Sequence, residues 1–116
     1  MEVTKMFEFE AAHHLPGYNG ACQRFHGHSY KLEVTISDVV NDRTGMVIDF
    51  SELKDVVKES VIDVLDHQNI NEILDNPTAE NMVTWIYSQL YPTFVYGLSK
   101  IKLWETSTSY CTWRKE

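Results

Sequence analysis

Along residues 3–13 apolar and polar side chains alternate: Val3, Phe7, Phe9 and Ala11 fall on one side, Thr4, Glu8 and Glu10 on the other. A period of two predicts a half-buried strand. After the turn-rich segment PGYNGAC, Tyr30, Leu32, Val34 and Ile36 alternate with Lys31, Glu33, Thr35 and Ser37, predicting a second strand antiparallel to the first. NDRTG supplies the next turn. The period then lengthens. Leu53, Val56, Val57, Val61, Val64 and Leu65 recur at helical spacing behind Ser51, which the pattern makes the N-cap. A second helix starts at Thr78, behind Asn76–Pro77, carries Met82, Val83, Ile86 and Leu90, and stops before Pro92. Two short strands follow near 99–106 and 109–115, with Ile101 and Leu103 inward. The order ββααββ predicts one α+β domain over residues 1–116, without repeats or linkers.

Composition narrows the class without naming a function. At 116 residues and 13.5 kDa, with 43% hydrophobic and 23% charged residues, the chain is large enough for one packed core. A formal charge of −7, with no cluster of lysine or arginine, argues against a nucleic-acid partner. No apolar run approaches a membrane span, and MEVTKMFEFE lacks the pattern of a signal peptide. Two cysteines, Cys22 and Cys111, are too few for a disulfide scaffold, so a reducing cytoplasm is the expected home.

The chemistry lies in the histidines. Strand parity sets His13 on the face of Phe7, Phe9 and Ala11, and turns His14 away with Glu8 and Glu10. His26 and His28 share a face with Tyr30 and Leu32. Three imidazoles can therefore converge at the same ends of two paired strands. Buried imidazoles need partners, and one metal ion satisfies all three. Three histidines with an open fourth position are the pattern of a catalytic zinc. An isolated HxH is more often a hydrogen-bonding pair, but His13 at matching parity and a cysteine four residues upstream favour the metal. Cys22 could itself close a structural site of one cysteine and three histidines, and spacing leaves that open. Glu105 has the parity of Ile101 and Leu103, so a carboxylate ends an inward face; a glutamate at a strand end is its plainer reading. Asp66–His67 follows the first helix, where a histidine also serves as a simple cap.

In order along the chain, FEAAHHLPG, CQRFHGHSYKLEV, TGMVIDFSELK, LDHQNIN, NPTAEN and WETSTS resemble the signature segments of the 6-pyruvoyl-tetrahydropterin synthase family. The resemblance implies the tunnelling fold: a four-stranded antiparallel sheet with two helices on one face, joined into a barrel by oligomerisation. A homohexamer of two stacked trimeric rings, with sites at subunit boundaries, is the implied assembly. It implies that His13, His26 and His28 bind zinc and that Cys22 is the catalytic base rather than a fourth ligand. Asp66 and His67 become the proton relay. Glu105 becomes the pterin anchor and a further member of that relay, and Thr78 stands near the pterin pocket. The implied substrate is 7,8-dihydroneopterin triphosphate, with no nucleic-acid or membrane partner.

The compact C-x-x-x-H-G-H spacing and VIDF are like the carboxy branch of the family. That branch releases triphosphate and acetaldehyde and leaves 6-carboxy-5,6,7,8-tetrahydropterin for queuosine synthesis. Formation of a 6-pyruvoyl product, or a related dihydroneopterin lyase reaction, is the alternative. Two positions depart from the family: His14 stands where arginine is common, and Trp104 where lysine or another residue is usual. A non-catalytic, zinc-stabilised assembly protein is the competing class, and the intact set Cys22, Asp66, His67 and Glu105 argues against it.

Overall fold

The computed structural model describes residues 1–116 and orders four antiparallel strands as in the chain: β1 (Glu2–His13), β2 (His26–Ser37), β3 (Leu98–Thr106) and β4 (Ser109–Arg114). The alternation read from the sequence decides which face is covered. Phe9, Ala11, Tyr30, Leu32, Val34, Ile36, Leu98, Ile101 and Leu103 are buried on one side. Both helices supply the apolar residues that cover them. Each fully buried aliphatic or aromatic side chain contributes about 1.5–3 kcal/mol. The long β1–β2 pair draws the molecule out to 53 × 26 × 25 Å.

The first helix runs Phe50–Val57, widens into a π turn at Lys58–Ile62 and ends with Asp63–Leu65. Its N-cap is Asp49, not Ser51. The Asp49 carboxylate accepts the Ser51 N–H at 2.8 Å, which draws Ser51 into the first turn. Leu53, Val57, Val61 and Leu65 are all buried at a constant spacing of four residues. A regular α-helix drifts by about 40° over each such step, and the wider π turn takes up that drift. The same widening turns Val64 outward, 38% exposed, against the expectation of an uninterrupted α period.

The second helix spans Ala79–Leu90, capped by the Thr78 hydroxyl, which accepts the Asn81 N–H at 3.1 Å. It buries Met82, Val83, Ile86 and Leu90. Between the helices the chain runs parallel to the free edge of β1, bridging Ala12 to Asn69 before a short 3₁₀ turn at Ile70–Glu72. On β3 two residues are left without a partner by shifts of register: Ser99 against β2 and Glu105 against β4. Such bulges re-aim side chains.

Candidate metal centre and active site

His13 and His26 are the last paired residues of β1 and β2, and His28 sits one inward position back, opposite Ala11. Parity thus puts three rings on the helix-covered face at one end of the sheet. Their centroids form a nearly equilateral triangle with sides of 4.7, 4.8 and 5.1 Å. The donor nitrogens all lie within 4.8 Å of one another. His13 is fully buried and the other two are half-buried.

Backbone carbonyls fix which nitrogen faces inward. His13 Nδ1 lies 2.8 Å from the Pro77 carbonyl, and His26 Nδ1 lies 2.7 Å from the Arg24 carbonyl. A carbonyl only accepts, so each Nδ1 carries its hydrogen, and in the neutral ring Nε2 keeps a lone pair. Those two Nε2 atoms stand 3.1 Å apart. His28 Nε2 is buried without a hydrogen-bond partner, 3.7 Å from Glu105 Oε1. Burial holds the His13 and His28 rings below the usual imidazole range, opposed at His13 chiefly by the Pro77 carbonyl and at His28 by Glu105. The rings are therefore neutral near pH 7. Lone pairs turned towards one another and an orphaned buried nitrogen are the arrangement a cation satisfies, and the carbonyls that accept from Nδ1 of His13 and His26 are the outer partners metal-bound histidines commonly have. The donor set fits zinc.

The other sequence-predicted residues surround this triangle unequally. Cys22 lies on a single 3₁₀ turn, Ala21–Gln23, half-buried, with its carbonyl accepting the Leu15 N–H at 2.8 Å. Its sulfur is not among the converging donors. Glu105 is the unpaired residue of the β3 bulge and approaches His28. Glu105 also borders a small cavity with Ala79, Glu80, Ser109, Tyr110 and Cys111. Thr78 does not line that cavity; its hydroxyl is engaged in capping the helix. The Cys111 thiol there is pushed up by burial, with the Glu80 charge adding to it, so it stays protonated.

Asp66 and His67 follow the first helix directly. Asp66 Oδ1 accepts the Glu10 backbone N–H at 3.0 Å and lies 3.0 Å from His67 Nδ1. The Glu10 bond, ahead of the contacts with His67, holds the Asp66 carboxyl below its ordinary range. His67 is 78% exposed and adopts the left-handed backbone conformation, φ 60°. A non-glycine residue there carries strain, a feature that clusters at functional sites. His67 and His28 border one open groove, across the small residues Ala12 and Gly27.

A model of the family described as 6-pyruvoyl tetrahydropterin synthase matches residues 2–116. The chain belongs to the 6-pyruvoyl tetrahydropterin synthase family. A 6-carboxy-5,6,7,8-tetrahydropterin synthase of Haemophilus influenzae is 35% identical, spanning 98% of this chain and 99% of its own length. The Synechocystis protein of that name is 40% identical over 92% of this chain and 88% of its own. The 6-pyruvoyl tetrahydropterin synthase structure from Caenorhabditis elegans matches with a TM-score of 0.89 at 25% identity, covering 100% of this chain and 96% of that one. The four-stranded antiparallel sheet with two helices expected from the sequence is thus the subunit fold observed.

Within the family frame, some supporting groups escape a reading by residue type. The Pro77 and Arg24 carbonyls are backbone atoms, invisible to a search for ligating side chains.

Proposed function

We propose that this chain is a zinc-dependent 6-carboxytetrahydropterin synthase. It converts 7,8-dihydroneopterin triphosphate and one water to 6-carboxy-5,6,7,8-tetrahydropterin with release of triphosphate and acetaldehyde, as a cytoplasmic step of queuosine synthesis. The observation that carries the reading is the meeting of three imidazoles, one with an orphaned Nε2, 3.7 Å from a carboxylate. The 6-carboxy-tetrahydropterin synthase names of two relatives aligned along most of their length support the product.

His13, His26 and His28 hold the zinc. Bound there, the ion supplies Lewis-acid polarisation of an oxygen on the substrate side chain. Glu105 accepts two hydrogen bonds from the amino and ring N–H edge of the pterin, a bidentate contact with strong orientation. Because Glu105 borders His28, a pterin gripped by it has its side chain beside the histidines. Cys22 removes a proton from the side-chain carbon, the general-base step. His67, oriented by Asp66, returns protons, and its exposure suits a group that meets solvent or a neighbouring subunit. Thr78 shapes the pocket indirectly, by starting the helix whose first residues border Glu105.

The test is turnover of 7,8-dihydroneopterin triphosphate by zinc-loaded protein, with products identified by mass. Acetaldehyde and the 6-carboxy product are expected. A 6-pyruvoyl product without acetaldehyde would move the chain to the other branch. No turnover at one zinc per subunit would favour a non-catalytic assembly protein.

A further inference from the structure

The edge of β1 away from β2 exposes backbone groups of Glu10, Ala12 and His14, and the segment from Asp66 to Asn71 bonds to each of these residues in turn. Glu10 N–H goes to the Asp66 carboxylate, the His67 N–H to the Glu10 carbonyl, and Ala12 N–H to the Gln68 carbonyl at 3.1 Å. At the far end the chain has already turned into its 3₁₀ segment, and a side chain completes the edge. Asn71 Oδ1 accepts the His14 N–H at 2.9 Å, and Asn71 Nδ2 donates to the His14 carbonyl at 3.0 Å. This two-way pairing reproduces what one residue of an antiparallel neighbouring strand would make. The backbone that carries it is itself anchored, because the Asn71 backbone N–H is accepted by Asn69 Oδ1 at 3.0 Å.

The position matters because His14 directly follows His13, and the β1–β2 ladder ends at the His13–His26 pair. Beyond that pair, β2 gives the chain no further support, and strand ends open at low free-energy cost. We propose that Asn71 is a positioning residue of the metal centre: by clamping both polar groups of His14 it holds His13 in register with His26 and His28. The inference rests on the metal reading above. It also gives the segment two ends of different use, with the Asp66–His67 pair at one and the clamp at the other.

Zinc affinity of metal-free protein, by competition with a chelator, and the visible spectrum of the cobalt-loaded protein test it. Three variants are compared with the wild type: Asn71→Ala, Asn71→Asp and Asn41→Ala. Asn41 Oδ1 accepts two backbone N–H groups in a different turn, so its loss reports general destabilisation alone. Asn71→Ala should weaken zinc roughly 10–100-fold, as loss of groups that orient ligands does, and should change the cobalt spectrum. Asn71→Asp, which keeps the acceptor and loses the donor, should fall between, and it decides the matter if the alanine variant does not fold. Wild-type affinity and spectrum in the folded Asn71 variants overturn the proposal, as does an equal loss in Asn41→Ala. A wild-type protein that binds no zinc overturns this proposal and the metal reading together. Normal wild-type binding with unaffected Asn71 variants overturns the clamp alone.

Discussion

His13 and His14 are neighbours in the chain and live in opposite surroundings. His13 is fully buried with its Nδ1 on the Pro77 carbonyl, whereas the His14 ring leans on Phe25 at 6.0 Å. Alanine at His13, His26 or His28 should therefore strip zinc, while His14→Ala, which leaves the backbone clamp intact, should retain it. Metal content after dialysis checks this, and a reversed result for His13 and His14 would mean a register shifted by one residue. Cys22 separates in the same measurement. Its sulfur stands outside the donor cluster, so Cys22→Ala should keep about one zinc and lose on the order of 10²–10⁴ in turnover, the usual worth of a general base. Metal-free but folded Cys22→Ala would make the thiol a ligand instead. The histidines were legible from sequence because β1 and β2 pair without a bulge from Glu2–Ser37 to His13–His26, so parity survives along both strands. Cys22 sits in a loop, where no period reports direction, and only resemblance gave it a role.

Regular elements were read where the period was regular, and missed where it changed. The two strand pairs and the Thr78 cap follow the pattern. The π turn does not, since nothing in Lys58–Ile62 distinguishes it from α-helix until the buried spacing of four is seen. The edge segment after the first helix was invisible for a similar reason: it has no repeat, and side chains supply two of its rungs. Its strain is testable. At φ 60° His67 pays a left-handed cost of about 1–2 kcal/mol, which glycine removes while adding freedom to the unfolded chain. His67→Gly should thus unfold at the same temperature as wild type or slightly above, yet lose turnover; a marked drop in melting temperature would show that the ring is held for stability. Acid should loosen the same segment. Asp66 binds fewer protons folded than unfolded, so its contribution is present above its ordinary value of 3.8 and fades as pH falls through the lower folded value. Asp66→Asn should accordingly flatten the acid limb of the stability curve, and an unchanged limb would remove Asp66 from that account.

At the scale of the whole molecule, β1 and β4 are the edges of the sheet, and a four-stranded sheet cannot close on itself. The segment from Asp66 to Asn71 covers β1 only from Glu10 to His14, leaving the stretch before it open. We expect β1 of one copy to pair with β4 of the next, giving rings of three and, by stacking, a hexamer. Proline can probe that edge selectively. Glu10 and Ala12 direct their N–H groups away from β2, and a period of two gives Glu8 the same direction. Glu8→Pro should therefore delete a hydrogen bond to a neighbouring copy without breaking the β1–β2 ladder, since proline is tolerated on an edge where its missing N–H faces outward. Sedimentation should show the wild type as a hexamer and Glu8→Pro shifted to smaller species. If neighbours complete the site, turnover should fall in parallel with dissociation. A wild-type monomer with full activity, or a Glu8→Pro protein that sediments as the intact hexamer, would remove this edge from the assembly.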